Sequence, residues 1–363
     1  MRAALRLARR SLGRVWPNPA VGCVIVGKDG RVVGRGWTQS GGRPHAETEA
    51  LARAGTAAKG ASAYITLEPC AHTSTRTGGA PSCAQALSRA GIARVLVAMR
   101  DPDPRTNGGG IAFLQGAGVE IVEGLSEAEA RAINAGFLLR VTSGRPLITL
   151  KVASSLDGRI ATGSGESKWI TGEPARAQAH ALRARHDAVV VGSGTVLADD
   201  PELTCRLPGL ADRSPVRVVF DGRLRTPLTA KIVTTARRTP TWIVTLAAAD
   251  PARQRAFAAA GVTLLPVSAD REGHPDPKAA FAALVGRGIT RVLVEGGRHL
   301  TAALLRDGPI DRMVWFRSPM MLGGDGVPAA ESFGLQQLNA APRFQREGVT
   351  QAGDDMVETY KAR

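Results

Sequence analysis

Thr142-Ser143-Gly144-Arg145-Pro146 interrupts the chain once, and on either side of it short apolar runs alternate with helix-length segments. Glycine and proline close together stop both helix and strand, so this stretch marks a boundary between two folding units. Length points the same way, because 363 residues exceed what one hydrophobic core usually serves. We therefore expect domains at 1–143 and 144–363. In the first, the β-branched run 20–26, closed by Lys28-Asp29-Gly30 and followed by 31–36, predicts a β-hairpin. Pro44 then opens a helix reaching residue 54, residues 63–67 predict a strand ending at Glu68-Pro69-Cys70, and a helix at 82–90 leads into a strand at 94–98. That order describes a three-layer α/β domain. In the second half, apolar runs at 147–152, 188–191, 216–220, 241–244, 262–266 and 292–294 are spaced by helix-length segments, which predicts a mainly parallel sheet with crossover helices.

Lysine and arginine number 47 against 32 acids, and the net charge of +15 would attract phosphate-bearing partners. The arginines are scattered, and aromatic residues make up only 4%, poor material for stacking bases. An ordinary arginine-rich surface is therefore the expected reading rather than a nucleic-acid footprint, and no nucleic-acid partner is expected. No apolar run reaches the ~18 residues that a membrane span needs, so no membrane partner is expected either. Four cysteines, Cys23, Cys70, Cys83 and Cys205, are too few and too irregular for a disulfide framework and suit a reducing, cytoplasmic setting. Residues 1–14 are rich in arginine and lack acids, as transit peptides do. They run directly into Pro17-Asn18-Pro19 and an apolar strand, so they are expected to form the first helix of the domain.

His45-Ala46-Glu47, Pro69-Cys70 and Cys83 supply one imidazole and two thiols. Three such ligands can hold Zn²⁺ and leave a fourth position open for water, which is the arrangement of catalytic rather than structural zinc. Glu47, two residues beyond His45, can stand beside the metal and carry a proton from that water to a leaving amine. This ligand-plus-glutamate pattern is the one general to zinc nucleobase deaminases. Cys83 follows Pro81-Ser82 at a predicted helix start, where the dipole favours a thiolate. His72 also lies between the cysteines and competes as a ligand, but only His45 brings a carboxylate with it. Cys23 and Cys205 are expected to pack. Asn18, between two prolines, is placed to offer its amide to the edge of a heterocycle or to serve the turn.

In the second half, 151–159 ends a strand in a polar glycine-containing turn, where open α/β sheets bind ligands. Gly163-Ser164-Gly165 and Trp169 follow, offering close backbone approach and a stacking face. Val191-Gly192-Ser193-Gly194-Thr195 and Glu295-Gly296-Gly297 each end a strand and open toward a helix, so their N–H groups could cradle a pyrophosphate. Neither is a full Gly-x-Gly-x-x-Gly fingerprint, which disfavours a strict Rossmann fold.

Pro17-Asn18-Pro19, Val21-Gly22-Cys23-Val24, His45-Ala46-Glu47, Thr66-Leu67-Glu68-Pro69-Cys70 and Asp101-Pro102 together resemble the deaminase half of the bifunctional deaminase/reductase family of riboflavin biosynthesis. Twelve residues separate Cys70 from Cys83, a longer insert than the family's, and its Gly-Arg-Thr-Pro-Pro-Cys segment is represented here by Arg76-Thr77 and then Gly78-Gly79-Ala80-Pro81-Ser82-Cys83. The later segments, above all Ala198-Asp199-Asp200-Pro201-Glu202-Leu203-Thr204, resemble the reductase half of the same family. The resemblance implies a cytidine-deaminase-like N-terminal domain and a dihydrofolate-reductase-like C-terminal domain using NADPH. It places Ala153, Trp169, Thr195, Asp199, Gly297, Arg298, His299, Leu300, Thr301, Ala302 and Ala303 at the cofactor. It places Ser167, Arg183, Leu203, Arg206 and Glu295 at a phosphoribosyl substrate, with Arg183 and Arg206 as a cationic pair for the phosphate.

The reactions so implied are hydrolytic loss of ammonia from 2,5-diamino-6-(5-phosphoribosylamino)pyrimidin-4-one, then reduction of the ribose to a ribityl chain. Lys151 and Asp199 are both candidates for the proton donor of the reduction. A homo-oligomer is expected. Two rivals remain at this point: a tRNA or cytidine deaminase with an unrelated second domain, and a basic nucleic-acid-binding protein with a structural zinc.

Overall fold

Glycines set how the first helices lie on the first sheet of the computed structural model, which describes residues 1–71 and 81–363. Helix α1 (Arg2–Arg9) meets strand β1 (Gly22–Val26) at Gly22, where a Cβ would stand 1.9 Å from the Ala4 carbonyl oxygen. Helix α2 (Ala46–Ala54) lies on strand β2 (Val32–Trp37) in the same way: a Cβ on Gly36 would come within 2.0 Å of the Ala46 oxygen, and one on Gly34 within 2.2 Å of the Ala50 oxygen. Alanines on the helix and glycines on the strand thus let the two backbones touch, and this contact fixes the helix that carries the first chemical residues.

The unit Met1–Gly144 continues with β3 (Ser62–Ile65), α3 (Cys83–Arg89), β4 (Arg94–Val97), α4 (Gly109–Gly116), β5 (Glu120–Glu123), α5 (Glu127–Ile133) and α6 (Ala135–Ser143). Its sheet runs β2-β1-β3-β4-β5, antiparallel at β1/β2 and β1/β3 and parallel from β3 to β5. The predicted hairpin and alternation are present; β5, whose four residues begin and end on glutamate, carries too little apolar pattern to be predicted. Cys23, 0% exposed, packs in the core with Ile25, Ile65 and Val95.

The unit Arg145–Arg363 holds β6 (Leu147–Ser154), β7 (Arg159–Ala161), α7 (Glu173–Arg183), β8 (Ala188–Gly192), α8 (Ser193–Asp199), β9 (Val216–Phe220), α9 (Lys231–Thr234), β10 (Thr241–Leu246) and α10 (Pro251–Ala259). It closes with β11 (Thr263–Val267), α11 (Pro277–Gly286), β12 (Arg291–Val294), α12 (Arg298–Asp307), β13 (Arg312–Arg317), β14 (Val327–Pro328), β15 (Phe344–Ala352) and β16 (Asp355–Ala362). The main sheet is ordered β11-β10-β9-β8-β12-β6-β13-β16-β15. It is parallel from β11 to β13, and the C-terminal pair β16-β15 adds antiparallel. The sheet is therefore mixed, and the apolar runs announced neither β13 nor the antiparallel pair beyond it.

His186, just ahead of β8, is a buried histidine kept neutral by its surroundings. Its Nδ1 donates to the Leu182 carbonyl at 2.7 Å and its Nε2 accepts from the Thr149 hydroxyl at 3.0 Å. Burial, reinforced by the charge of Arg291, holds its pKa down at about 3 against an ordinary 6.5. Unfolded chain takes up a proton below 6.5, whereas folded chain resists it until about 3, so the stabilisation is complete above 6.5 and is lost as pH falls through that window. Denaturant unfolding of this unit should lose about 2–3 kcal/mol from this group between pH 7 and pH 4.5. His186→Gln, which can keep both hydrogen bonds without titrating, should flatten that part of the slope; an unchanged slope would assign the loss to other groups.

Candidate functional site

Three chain segments bring the metal donors together, and each has a local reason to end where it does. The hydroxyl of Thr66, just past β3, accepts the Gly22 N–H at 3.0 Å and directs the chain toward Cys70. Ser82 begins α3 through a reciprocal capping box: its Oγ accepts the Gln85 N–H at 3.2 Å while Gln85 Oε1 accepts the Ser82 N–H at 3.1 Å. Cys83 is thereby the first residue of that helix. His45 precedes α2 as its N-cap, and the helix is supported by acids in its first turn and by the Glu49–Arg53 pair at 2.8 Å.

His45 Nδ1 lies 3.2 Å from Cys83 Sγ and 3.8 Å from Cys70 Sγ, and all three donor atoms fall within 4.8 Å of one another. Ligands bound tetrahedrally to one zinc at their usual bond lengths stand about 3.5–3.8 Å apart, so one imidazole and two thiols at these separations fit that ion. The two thiols act as one coupled pair, and the start of α3 reaches both, Cys83 as its first residue and Cys70 through a backbone N–H. The Cys83 N–H points at Cys70 Sγ at 3.4 Å, and hydrogen bonding from Cys83, helped by His45, holds the Cys70 thiol down at about 4. The Cys83 thiol is pushed up, first because it shares its proton with Cys70 and then because it is buried. The helix start thus offers a donor to the neighbouring ligand as well as carrying its own.

Glu47 is 3% exposed and stands in the first turn of α2 beside these donors, in hydrogen-bond contact with Cys83. Burial pushes its carboxyl up to about 7, against the pull of the His45 charge. A carboxyl at that value exchanges a proton near neutral pH. Asn18 is half-buried in the turn 15–18, where its N–H donates to the Val15 carbonyl at 2.9 Å. Gly42, at φ +85°, leaves room for its amide: a Cβ there would come 1.8 Å from Asn18 Nδ2. His72, Arg76, Thr77, Gly78, Gly79 and Ala80 lie outside the described residues.

In the second unit the polar residues gather at the C-terminal ends of the parallel strands. Arg183 forks onto Glu295, with Nε–Oε1 at 2.6 Å and Nη2–Oε2 at 2.9 Å, and its Nη1 donates to the Thr204 carbonyl at 2.9 Å. Lys151 Nζ stands 3.8 Å from Glu295 Oε2. Burial alone would raise the Glu295 carboxyl, but Arg183 and Lys151 outweigh it and hold the group at about 2. Burial lowers the Lys151 ammonium, with Glu295 opposing. The expected cationic pair is thus unequal: Arg183 is half-buried and forked onto Glu295, whereas Arg206 is exposed, 3.5 Å from Glu202, with its backbone N–H donating to His180 Nδ1 at 3.3 Å.

The remaining sequence-derived positions divide by exposure. Gly297 and Thr195 meet, because a Cβ on Gly297 would lie 3.3 Å from Thr195 Oγ1. Helices α8 and α12 both start from glycine N-caps without a side-chain cap, Gly192 and Gly297, so their first N–H groups face outward at adjacent strands. Two uncapped helix starts on glycine fit a pyrophosphate-bearing cofactor. Leu300, Thr301 and Ala302 are buried, so they can reach a ligand only through the main chain, and Ala303 and Ser167 are half-buried. Arg298 and His299 instead pair with Glu331, a residue the sequence reading did not single out. Ala153 is half-buried on β6, Asp199 is exposed at the end of α8, and Leu203 is buried at φ +54°. Trp169 is 64% exposed, and the Arg176 guanidinium lies 4.5 Å over its ring. Arg225, also not foreseen, donates from Nη2 to Ser193 Oγ at 2.9 Å, at the mouth of the Gly192 turn.

Comparison with known proteins covers both units. Residues 1–99 match the family described as the cytidine and deoxycytidylate deaminase zinc-binding region, and residues 146–358 match the RibD C-terminal domain. Riboflavin biosynthesis protein RibD of Bacillus amyloliquefaciens is 41% identical over 360 residues, covering 99% of this chain and 94% of its own. RibD of Escherichia coli K12 is 41% identical over 367 residues, covering 98% and 96%. Among solved structures, Acinetobacter baumannii RibD superposes with a TM-score of 0.88 at 38% identity, covering 100% of this chain and 97% of that one. A Thermotoga maritima diaminohydroxyphosphoribosylaminopyrimidine deaminase/5-amino-6-(5-phosphoribosylamino)uracil reductase superposes with 0.85 at 33% identity, with the same coverage.

Proposed function

The chain belongs to the RibD family, the bifunctional zinc-dependent deaminases and NADPH-dependent reductases of riboflavin biosynthesis, and from that premise we propose how its residues divide the two reactions. Residues 1–143 hydrolyse the amino group of 2,5-diamino-6-(5-phosphoribosylamino)pyrimidin-4-one, and residues 144–363 reduce the ribose of the deaminated product to a ribityl chain. The observation that carries the first half is the convergence of His45, Cys70 and Cys83 with a buried Glu47 beside them. His45, Cys70 and Cys83 would hold the zinc, which when bound supplies the Lewis acidity that makes water nucleophilic near neutral pH. Glu47 takes the proton from that water and returns one to the amine as ammonia leaves; its raised carboxyl suits both transfers. Asn18 holds the edge of the pyrimidine.

For the second half, NADPH when bound supplies the hydride, and the helix starts at Gly192 and Gly297 would hold its pyrophosphate. Lys151 is favoured over Asp199 as the proton donor, because Lys151 is half-buried beside Glu295 whereas Asp199 is exposed. Arg206, exposed and only loosely paired with Glu202 at 3.5 Å, is the arginine that meets the substrate phosphate, and Arg183 keeps Glu295 ionised to hold sugar hydroxyls.

Full-length protein incubated with the diaminopyrimidine tests this assignment. Ammonia should appear without NADPH, NADPH should be oxidised only after deamination, and a zinc chelator should stop the first reaction while sparing reduction of supplied deaminated intermediate. Equal ammonia release from cytidine, or NADPH oxidation that precedes ammonia release, would overturn it.

A further inference from the structure

Four main-chain N–H groups from a distant loop converge on one buried carboxylate that stands two residues before Cys70. Glu68 is 3% exposed; its Oε2 accepts from Asp101 at 3.2 Å and Gly108 at 3.0 Å, and its Oε1 accepts from Gly110 at 3.0 Å and Ile111 at 3.3 Å. Gly110 and Ile111 belong to the first turn of α4, whose own N-cap, Gly108, has no side chain to offer. Glu68 therefore caps that helix from another segment, and its negative charge meets the positive end of the helix.

The same contacts immobilise the segment bearing a metal ligand. A Cβ on Gly110 would lie 1.9 Å from the Pro69 carbonyl oxygen, so α4 bears directly on the peptide between Glu68 and Cys70. The Glu68 N–H is held by the Met99 carbonyl at 3.0 Å, and the Cys70 carbonyl by the Ala84 N–H of α3 at 3.2 Å. Pro69-Cys70 is thus fixed between two helix starts, α3 gripping Cys70 and α4 gripping Glu68.

We propose that Glu68 is a positioning residue of the deaminase: by clamping α4 and the Asp101–Gly108 loop onto Pro69, it sets where Cys70 Sγ stands and so the affinity and geometry of the metal site. This rests on the reading of His45, Cys70 and Cys83 as zinc ligands. Glutamine cannot replace Glu68, because one amide oxygen cannot accept four N–H groups and the amide NH₂ would face two of them. Groups that orient metal ligands typically change metal affinity or activity by about 10–100-fold when removed.

The test uses the full chain with Glu68→Gln and Glu68→Asp. The readouts are zinc affinity by chelator competition, the visible spectrum of the cobalt-substituted protein, ammonia release, and NADPH-dependent reduction as a check that the rest of the chain is folded. Glu68→Gln should weaken zinc binding about 10–100-fold and shift the cobalt bands, which report sulfur and nitrogen geometry, with reduction unchanged. Glu68→Asp, which keeps the charge one methylene short, should fall between wild type and glutamine, and it decides the matter should the glutamine variant not fold. A folded variant of lowered melting temperature but wild-type zinc affinity and cobalt spectrum would overturn the proposal, since Glu68 would then only support the fold. Wild-type protein that binds neither zinc nor cobalt would instead refute the ligand reading itself.

Discussion

Glu47→Gln is expected to keep its zinc and lose ammonia release by roughly two to four orders of magnitude, the range that a positioned proton carrier contributes. The substitution is a narrow one. Glutamine has the volume of glutamate, and Glu47 is buried and is not one of the three donor atoms, so the metal cluster should remain intact. What disappears is a carboxyl that burial has brought to about 7 from an ordinary 4.5. An amide can accept the hydrogen bond from Cys83 but can neither take the proton from water nor pass one to the departing amine. Reduction of supplied intermediate should proceed at the wild-type rate. Stoichiometric zinc together with near-normal ammonia release would remove Glu47 from the proton path; loss of zinc would make its first duty the metal.

The parts of this fold and site that could be read from sequence are those whose cause is local. The break at Gly144 coincides with a helix that ends in a left-handed glycine, the β-branched run 216–220 became β9, and Pro81-Ser82 announced the start of α3. His45, Glu47, Cys70 and Cys83 were legible because their chemistry is rare, even though 38 residues separate the first from the last. The antiparallel pair β15 and β16 was not legible: most of β15 is exposed and polar, so neither alternation nor an apolar run marks it. Glu68 was equally hidden. Its donors lie 33 to 43 residues away and are backbone groups, which leave no trace in residue identity. Arg183 illustrates a third case, since its position was anticipated but its state was not. A sequence shows that an arginine is present, and only the fold shows that Glu295 has already claimed it.

Cys83→Ser should empty the zinc site, stop deamination, and leave reduction of the deaminated intermediate unchanged. The local fold has reasons to survive. Serine is close to cysteine in shape, the capping box of Ser82 and Gln85 does not involve the Cys83 side chain, and the residue 83 N–H can still reach Cys70 Sγ. Coordination has no such reserve. A hydroxyl does not become an anionic ligand near neutral pH as a thiol beside a metal does, and only His45 and Cys70 remain of the three donors. Without the ion, water keeps a pKa of about 15.7 rather than about 7, so the loss should be at least as large as that of Glu47→Gln. The second unit, Arg145–Arg363, has its own sheet and its own ionic cluster of Lys151, Arg183 and Glu295. Units with separate cores keep separate chemistry. Zinc content, ammonia release and NADPH oxidation measured on one preparation decide the point: zinc retained at wild-type level would exclude Cys83 as a ligand, and parallel loss of both activities in a folded variant would show that the two reactions are not independent.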